Sequence, residues 1–196
     1  MYIFNPAFIV QLTPSKDNIL FTLNEKFSTL TAQQIPPAPN GTALPLLANV
    51  STIPPNTLNA TFAAAEILIS NNSEKFPNLL IYVSNRNLGP EFDERGDTIA
   101  ILEFTNGSAS HIEKRAHSWN FSSKPRLNLV TQVFTGLKQI RSMNIGPVET
   151  GADEFLIAGA NVDGGVVMFR RVDRGRNLTE VVRNEEIANR TSFVFV

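Results

Sequence analysis

The side chains best suited to chemistry sit at the ends of short apolar runs. Arg86 follows Ile81-Tyr-Val-Ser-Asn85 and precedes the charged stretch Glu91-Phe-Asp-Glu-Arg-Gly-Asp97. A guanidinium there either pairs with Asp97 or Glu94 at the turn, or grips a ligand carboxylate through its planar fork. Glu25 closes the run Ile19–Asn24, where a carboxylate is either solvated or a general acid/base. Arg170 and Arg171 are neighbours, so strand alternation sends one toward an adjacent sheet and the other to solvent. His111 and His117 share one side of an extended segment. With no cysteine in the chain and no carboxylate pair beside them, they read as solvated surface and not as a metal site. Asn85 and Asn161, at matching places in two runs, read as turn formers that end strands.

Other constellations are absent from the sequence. It holds no Gly-rich phosphate loop, Gly-x-Ser-x-Gly elbow or His-Glu-x-x-His pair, and 91–97 lacks the alternating oxygen ligands of a calcium loop. The expectation is a protein without cofactor or metal. Asn-x-Ser/Thr occurs at Asn40, Asn49, Asn59, Asn71, Asn106, Asn120, Asn177 and Asn189, where composition alone predicts about three. These are glycosylation candidates, and their excess points to a history in the secretory pathway. An Asn-rich composition is the simpler alternative. Location is accordingly extracellular if the parent protein carries a signal peptide, and cytoplasmic otherwise.

Composition narrows the partners. Seventeen basic and 18 acidic residues leave a net charge of −1 over 196 residues, which removes the electrostatic basis for binding nucleic acid or a membrane surface. No apolar run approaches the roughly 20 residues of a membrane span. The first residues resemble the interior of a longer protein and not a signal peptide.

The elements that must position these side chains recur. Short runs rich in Ile, Val, Phe and Thr are bounded by Asn, Gly, Asp and Pro, the pattern of strands and turns. Three segments repeat one scheme: an inner strand (Ala7–Leu12, Ala64–Ser70, Arg141–Ile145), a second (Asn18–Asn24, Leu80–Asn85, Glu154–Asn161) and a third (27–31, Asp97–Phe104, Gly165–Val172). Outer strands are expected at His111–Trp119 and Asn177–Arg183, and Asp163-Gly-Gly165 suits a tight hairpin. Sequential antiparallel meanders repeated in this way are propeller blades, with a β-sandwich as the alternative. The expected fold class is all-β: a partial β-propeller of about three four-stranded antiparallel blades plus a closing strand. Blades are placed at about 1–35, 60–120 and 137–187, a Pro-rich loop at 36–58, and the closing strand at 190–196.

Ile81-Tyr-Val-Ser-Asn-Arg-Asn87 with Arg95-Gly-Asp-Thr-Ile-Ala-Ile101 resembles the lactonase family of seven-bladed propellers, which includes 6-phosphogluconolactonases and fungal 3-carboxy-cis,cis-muconate cyclases. Gln132-Val-Phe-Thr-Gly-Leu, Asp153-Glu-Phe-Leu-Ile-Ala-Gly, Gly165-Val-Val-Met-Phe-Arg-Arg, Gly175-Arg-Asn-Leu-Thr-Glu-Val and Arg190-Thr-Ser-Phe-Val-Phe-Val196 are similar to the closing part of the fungal branch. The resemblance covers residues 60–196, is only blade-like before 35, and is absent at 36–58. It implies a site at the mouth of a central channel, with Arg86 as a substrate-binding arginine and Glu25 as the catalytic acid/base. The family's His-Pro stands here as Thr13-Pro14, and an arginine expected near the start of that blade is replaced by Ala7 or Phe8. The histidine that the resemblance implies falls before Met1.

Seven blades of roughly 45 residues exceed 300, so the chain reads as the C-terminal half of such a ring. It would be completed by N-terminal blades or by a self-associating partner. The functions in view are a cycloisomerase or lactone hydrolase acting on a small carboxylate or lactone, and a non-catalytic secreted glycoprotein with a binding or adhesion role.

Overall fold

Alternation of apolar and polar residues builds three sheets that stack face to face. The computed structural model describes residues 9–11, 19–36, 43–57, 61–89, 93–106, 124–187 and 192–195. The first sheet is β1 (Ile9–Gln11), β2 (Ile19–Asn24), β3 (Thr29–Gln34) and β4 (Leu46–Ser51). The second is β5 (Phe62–Ile69), β6 (Leu80–Asn87), β7 (Thr98–Thr105) and β8 (Arg126–Phe134). The third is β9 (Lys138–Ile145), β10 (Phe155–Asp163), β11 (Val166–Val172) and β12 (Asn177–Asn184). Every strand pairs with its sequence neighbours, antiparallel throughout. This is an all-β, open propeller arrangement of three four-stranded blades.

The second sheet is covered on both faces, so its central strands are apolar at consecutive positions. Ile81, Val83, Ala100, Leu102 and Phe104 pack against Ile19, Phe21, Leu23, Leu30 and Ala32 of the first sheet. Leu80, Tyr82, Ile99 and Ile101 face the other way and pack with Leu156, Ala158, Val167 and Phe169 of the third. Phe21 and Phe104 meet edge to face across the first junction, centroids 5.2 Å apart, a favourable aromatic geometry. The second and third sheets come closest at their first strands, where β9 lies beside both β5 and β6. The free edges of β5 and β9 therefore form the inner edge of the arc.

Three expectations need correction. The first sheet's fourth strand, β4, lies inside the 36–58 stretch read as a loop, because Leu46–Ser51 can pair with β3 between flanking prolines. The second sheet's fourth strand is β8 at Arg126–Phe134, and His111–Trp119, with both histidines, lies outside the described residues. Residues 192–195 form no strand; the Phe193 carbonyl instead accepts a hydrogen bond from Asn144 Nδ2 at 3.1 Å. The hairpin at Gly164 and Gly165 is as expected, with both φ angles positive, at 90° and 78°.

Candidate functional site

Strand direction gathers the polar residues. The ends of β2, β4, β6 and β8 and the starts of β3, β5, β7 and β9 lie at one end of the sheets, which also carries the β4–β5 and β6–β7 connections. Glu25 leads the turn from β2 to β3, and Arg86 is the next-to-last residue of β6. They are 61 positions apart in sequence and belong to different sheets, yet an Arg86 Nη2 hydrogen bond to Glu25 Oε1 joins them in an ion pair. The Arg86 side chain is 5% exposed and that of Glu25 48%. Neither Asp97 nor Glu94, the partners considered from sequence, forms that pair. Arg86 Nε is buried and has no partner among the described residues.

Asp97 is nonetheless next to the arginine. It is wholly buried, where its Oδ1 accepts from the Asn87 amide at 2.9 Å and its Oδ2 from the Ile140 amide at 2.8 Å. Burial pushes its pKa up to about 6, against the opposing pull of the Asn87, Ile140 and Gln139 amides and the Arg86 charge. Gly96 permits the approach: its φ is 82°, and a Cβ there would lie 2.7 Å from the Leu137 carbonyl. Asp97 thus stitches the second sheet to the third through the amide of the residue after the arginine.

On the first-sheet side the stitching is neutral. Asn85 is fully buried within β6 and is no turn former. Its Nδ2 donates to the Thr52 carbonyl at 2.7 Å and to Thr98 Oγ1 at 3.3 Å, while its Oδ1 accepts from Thr52 Oγ1 at 2.7 Å. Ser28, at a positive φ of 46°, donates through Oγ to the Phe62 carbonyl and accepts from the Ala64 amide. These bonds fix the β2–β3 turn, and hence Glu25, against the start of β5. Sequence reasoning missed Ser28, Thr52 and the depth of Asp97. A polar pair, Ser84-Asn85, inside a run buried on both faces was the available signal.

Four of the eight glycosylation candidates, Asn49, Asn71, Asn106 and Asn177, are described, and all are exposed; Asn40, Asn59, Asn120 and Asn189 lie outside the described residues. Asn71, Asn106 and Asn177 sit at the end of the sheets opposite Arg86. Arg171 is buried and Arg170 exposed, in line with strand alternation. Among the described residues no group of three His, Cys, Asp or Glu is placed to hold a metal. No helix among them is long and apolar enough to cross a membrane.

Meandering four-stranded sheets with a charged pair at one end define a propeller-type protein. The profile of the family described as Lactonase, 7-bladed beta-propeller matches residues 10–195, and the chain belongs to that family. The match runs through residues 10–58 as well, beyond the 60–196 in which motifs were recognised. A solved structure of a Lactobacillus plantarum protein is similar over 96% of this chain and 44% of its own, with a TM-score of 0.66 and 19% identity. A Bacteroides uniformis protein, provisionally named a 6-phosphogluconolactonase, is similar over 83% of this chain and 35% of its own, with a TM-score of 0.51 and 18% identity. The chain thus spans less than half the length of these structures. No curated protein matches it.

Proposed function

We propose that the protein is a lactonase-family cycloisomerase of the 3-carboxy-cis,cis-muconate cyclase kind, with Arg86 binding a substrate carboxylate and Glu25 acting as acid/base. The observation that carries this reading is the Glu25–Arg86 pair, formed between two sheets at the end that bears the connecting turns. A buried guanidinium whose carboxylate partner is half exposed is a carboxylate site occupied by the protein's own side chain. An incoming substrate carboxylate can take the place of Glu25 on Arg86, leaving Glu25 beside the ligand. In the lactonisation a second carboxylate oxygen of the substrate adds across a carbon–carbon double bond, and Glu25, having taken up a proton from solvent once released from Arg86, delivers it to the adjacent carbon. Further blades of the ring, N-terminal or from a self-associating partner, would supply the rest of the channel mouth.

Two other readings have support. The name carried by the Bacteroides uniformis protein favours a lactone hydrolase acting on a sugar-acid lactone. The exposure of Asn49, Asn71, Asn106 and Asn177 favours a secreted glycoprotein with a binding or adhesion role. Assays of 3-carboxymuconate lactonisation and 6-phosphogluconolactone hydrolysis separate the first two. Turnover of the muconate, lost in Arg86→Ala, is the expected result. Inactivity on both substrates, with ligand binding unchanged by Arg86→Ala, would sink the enzyme reading. A mass shift of native protein on glycosidase treatment tests the glycoprotein reading.

A further inference from the structure

The end of the sheets opposite Arg86 holds a cavity of about 320 Å3, between the last residues of β5, the last residues of β9 and the C-terminal segment. Its walls include the apolar Ile69, Ile145, Val148 and Phe195, and its polar side chains are Asn71, Asn144, Asp153 and Arg171. Asn144 also ties the C-terminal segment in place, through its bond to the Phe193 carbonyl.

Asp153 is 5% exposed and lies in the second of two short 3-10 turns, Val148–Thr150 and Ala152–Glu154, that join β9 to β10. Gly146 lets this connection fold tightly onto the end of β9, since a Cβ there would run into the Ala152 carbonyl. Arg171 Nη1 holds the Asp153 carbonyl at 2.6 Å. Ser73 Oγ accepts from the Phe76 amide at 3.2 Å and donates to Asp153 Oδ2 at 2.7 Å. The carboxylate is therefore fixed from two sides, yet its Oδ1 has no hydrogen bond among the described residues. A buried carboxylate oxygen left in that state is costly until something donates to it.

The charges select the occupant. Asp153 repels an anion, and the Arg171 guanidinium in the same wall disfavours a second cation. A wholly apolar molecule would leave Asp153 Oδ1 without a donor. What fits is an uncharged molecule with hydroxyl groups and apolar C–H faces. Hydroxyls both donate and accept, which suits Asp153 and the side-chain amides of Asn71 and Asn144, while C–H faces suit Phe195, Ile69 and Ile145. The volume lies at the low end for small-molecule sites, room for a single sugar ring.

We propose that this cavity binds an uncharged pyranose sugar, with Asp153 as the acceptor for its hydroxyls. The site is separate from Arg86: β5 runs from Phe62, paired with Asn87, to Ile69 at the cavity, about 23 Å of strand rise. The ring has two possible sources. One is a free saccharide; the other is the first sugar of the chain's own glycan on Asn71, an exposed Asn-x-Ser site that lines the cavity.

The test is an NMR titration of the isotope-labelled full chain, made without glycosylation, with glucose and with glucuronate, which carries a carboxylate on the same ring. Glucose should move the amide signals of Gly146 and Ser73 and leave those of Asn87 and Gln139 in place, with glucuronate about tenfold weaker. Asp153→Asn keeps an acceptor for Ser73. It should weaken glucose about tenfold, the loss of one charge-assisted hydrogen bond, and bring glucuronate closer to it. Val148→Phe, which fills the cavity, should abolish binding while the rest of the spectrum stays native. Arg86→Ala should bind glucose as wild type does. No shift at Gly146 with glucose in large excess, equal affinity for glucuronate, or glucose affinity within about twofold of wild type in Asp153→Asn overturns the site and leaves a space that holds only water. Shifts at Asn87 and Gln139 in place of Gly146 overturn it as well, because the sugar then sits at the Arg86 end. Protein glycosylated at Asn71 separates the sources: lost binding of free glucose assigns the cavity to the chain's own glycan, and retained binding assigns it to a free saccharide.

Discussion

Arg86 and Arg171 are both buried arginines with one nitrogen lacking a partner among the described residues, at opposite ends of the second sheet's neighbourhood, and they are held in opposite ways. Arg171 donates through Nε to the Tyr82 hydroxyl at 2.8 Å and through Nη1 to the Asp153 carbonyl at 2.6 Å, and it stacks 3.9 Å from the Phe76 ring centre. Tyr82 in turn donates to the Gly175 carbonyl at 2.7 Å. Its partners are backbone and buried aromatic groups that no ligand can displace. Arg86 has a half-exposed side-chain carboxylate instead. Burial of an arginine thus does not distinguish structure from function. The exposure of what it is paired with does.

The sharpest break in the comparison is Arg171→Met. It leaves the buried Tyr82 hydroxyl and the Asp153 carbonyl short of a donor, and the cost should be about 3–5 kcal/mol. Urea unfolding measures it. A loss below about 1 kcal/mol would show that the junction between the second and third sheets does not depend on this anchor.

Asp97 gives the next largest effect, through pH. Its folded pKa of about 6 lies above the ordinary 3.8, so between those values the folded state binds more protons than the unfolded one. The contribution of this group to stability therefore falls as pH rises through that window, and the deficit is full above pH 6. A difference of that size corresponds to about 3 kcal/mol. Asp97→Asn should lack this component of the pH slope. An identical slope in the variant would mean that Asp97 is not the group responsible.

Asn85→Ala is expected to cost about 2 kcal/mol, since Thr52 loses both a donor and an acceptor in a buried site. Its signature differs from that of Arg171→Met. Because Thr52 and Ser28 anchor the turn that bears Glu25, Asn85→Ala should also weaken ligand binding at Arg86. Loss of stability with unchanged binding would uncouple that turn from the neutral network.

These contrasts mark what was legible beforehand. Periodicity two in Ile19–Asn24 and the doubly apolar run at Leu80–Val83 announced the sheets, and the repeat announced their meander. The strand β4 escaped because Pro37, Pro39, Pro45, Pro54 and Pro55 surround it, and local composition outweighs a six-residue strand whose stability comes from pairing. The strand β8 escaped because an alternative run at His111–Trp119 has similar spacing. Arg86 and Glu25 were visible one at a time, at the ends of strands. Their pairing was not, since it depends on how the first sheet's turn lies across the second sheet.

Glu25→Gln should have the smallest effect on stability and one of the most informative effects on function. The carboxylate is half exposed, so its attraction to Arg86 is screened by solvent, and pairs of this kind contribute about 0–1 kcal/mol. Removing the charge leaves Arg86 buried with a neutral amide that can still accept a hydrogen bond, which limits the cost further. Binding of a substrate carboxylate at Arg86 should improve, because the internal competitor has lost its charge. Turnover should fall, because the amide cannot deliver a proton to carbon. A variant that folds normally, binds more tightly and turns over less separates Glu25 as acid from Glu25 as a mere partner of the arginine. If binding weakens together with turnover, the carboxylate positions Arg86 and the proton comes from elsewhere.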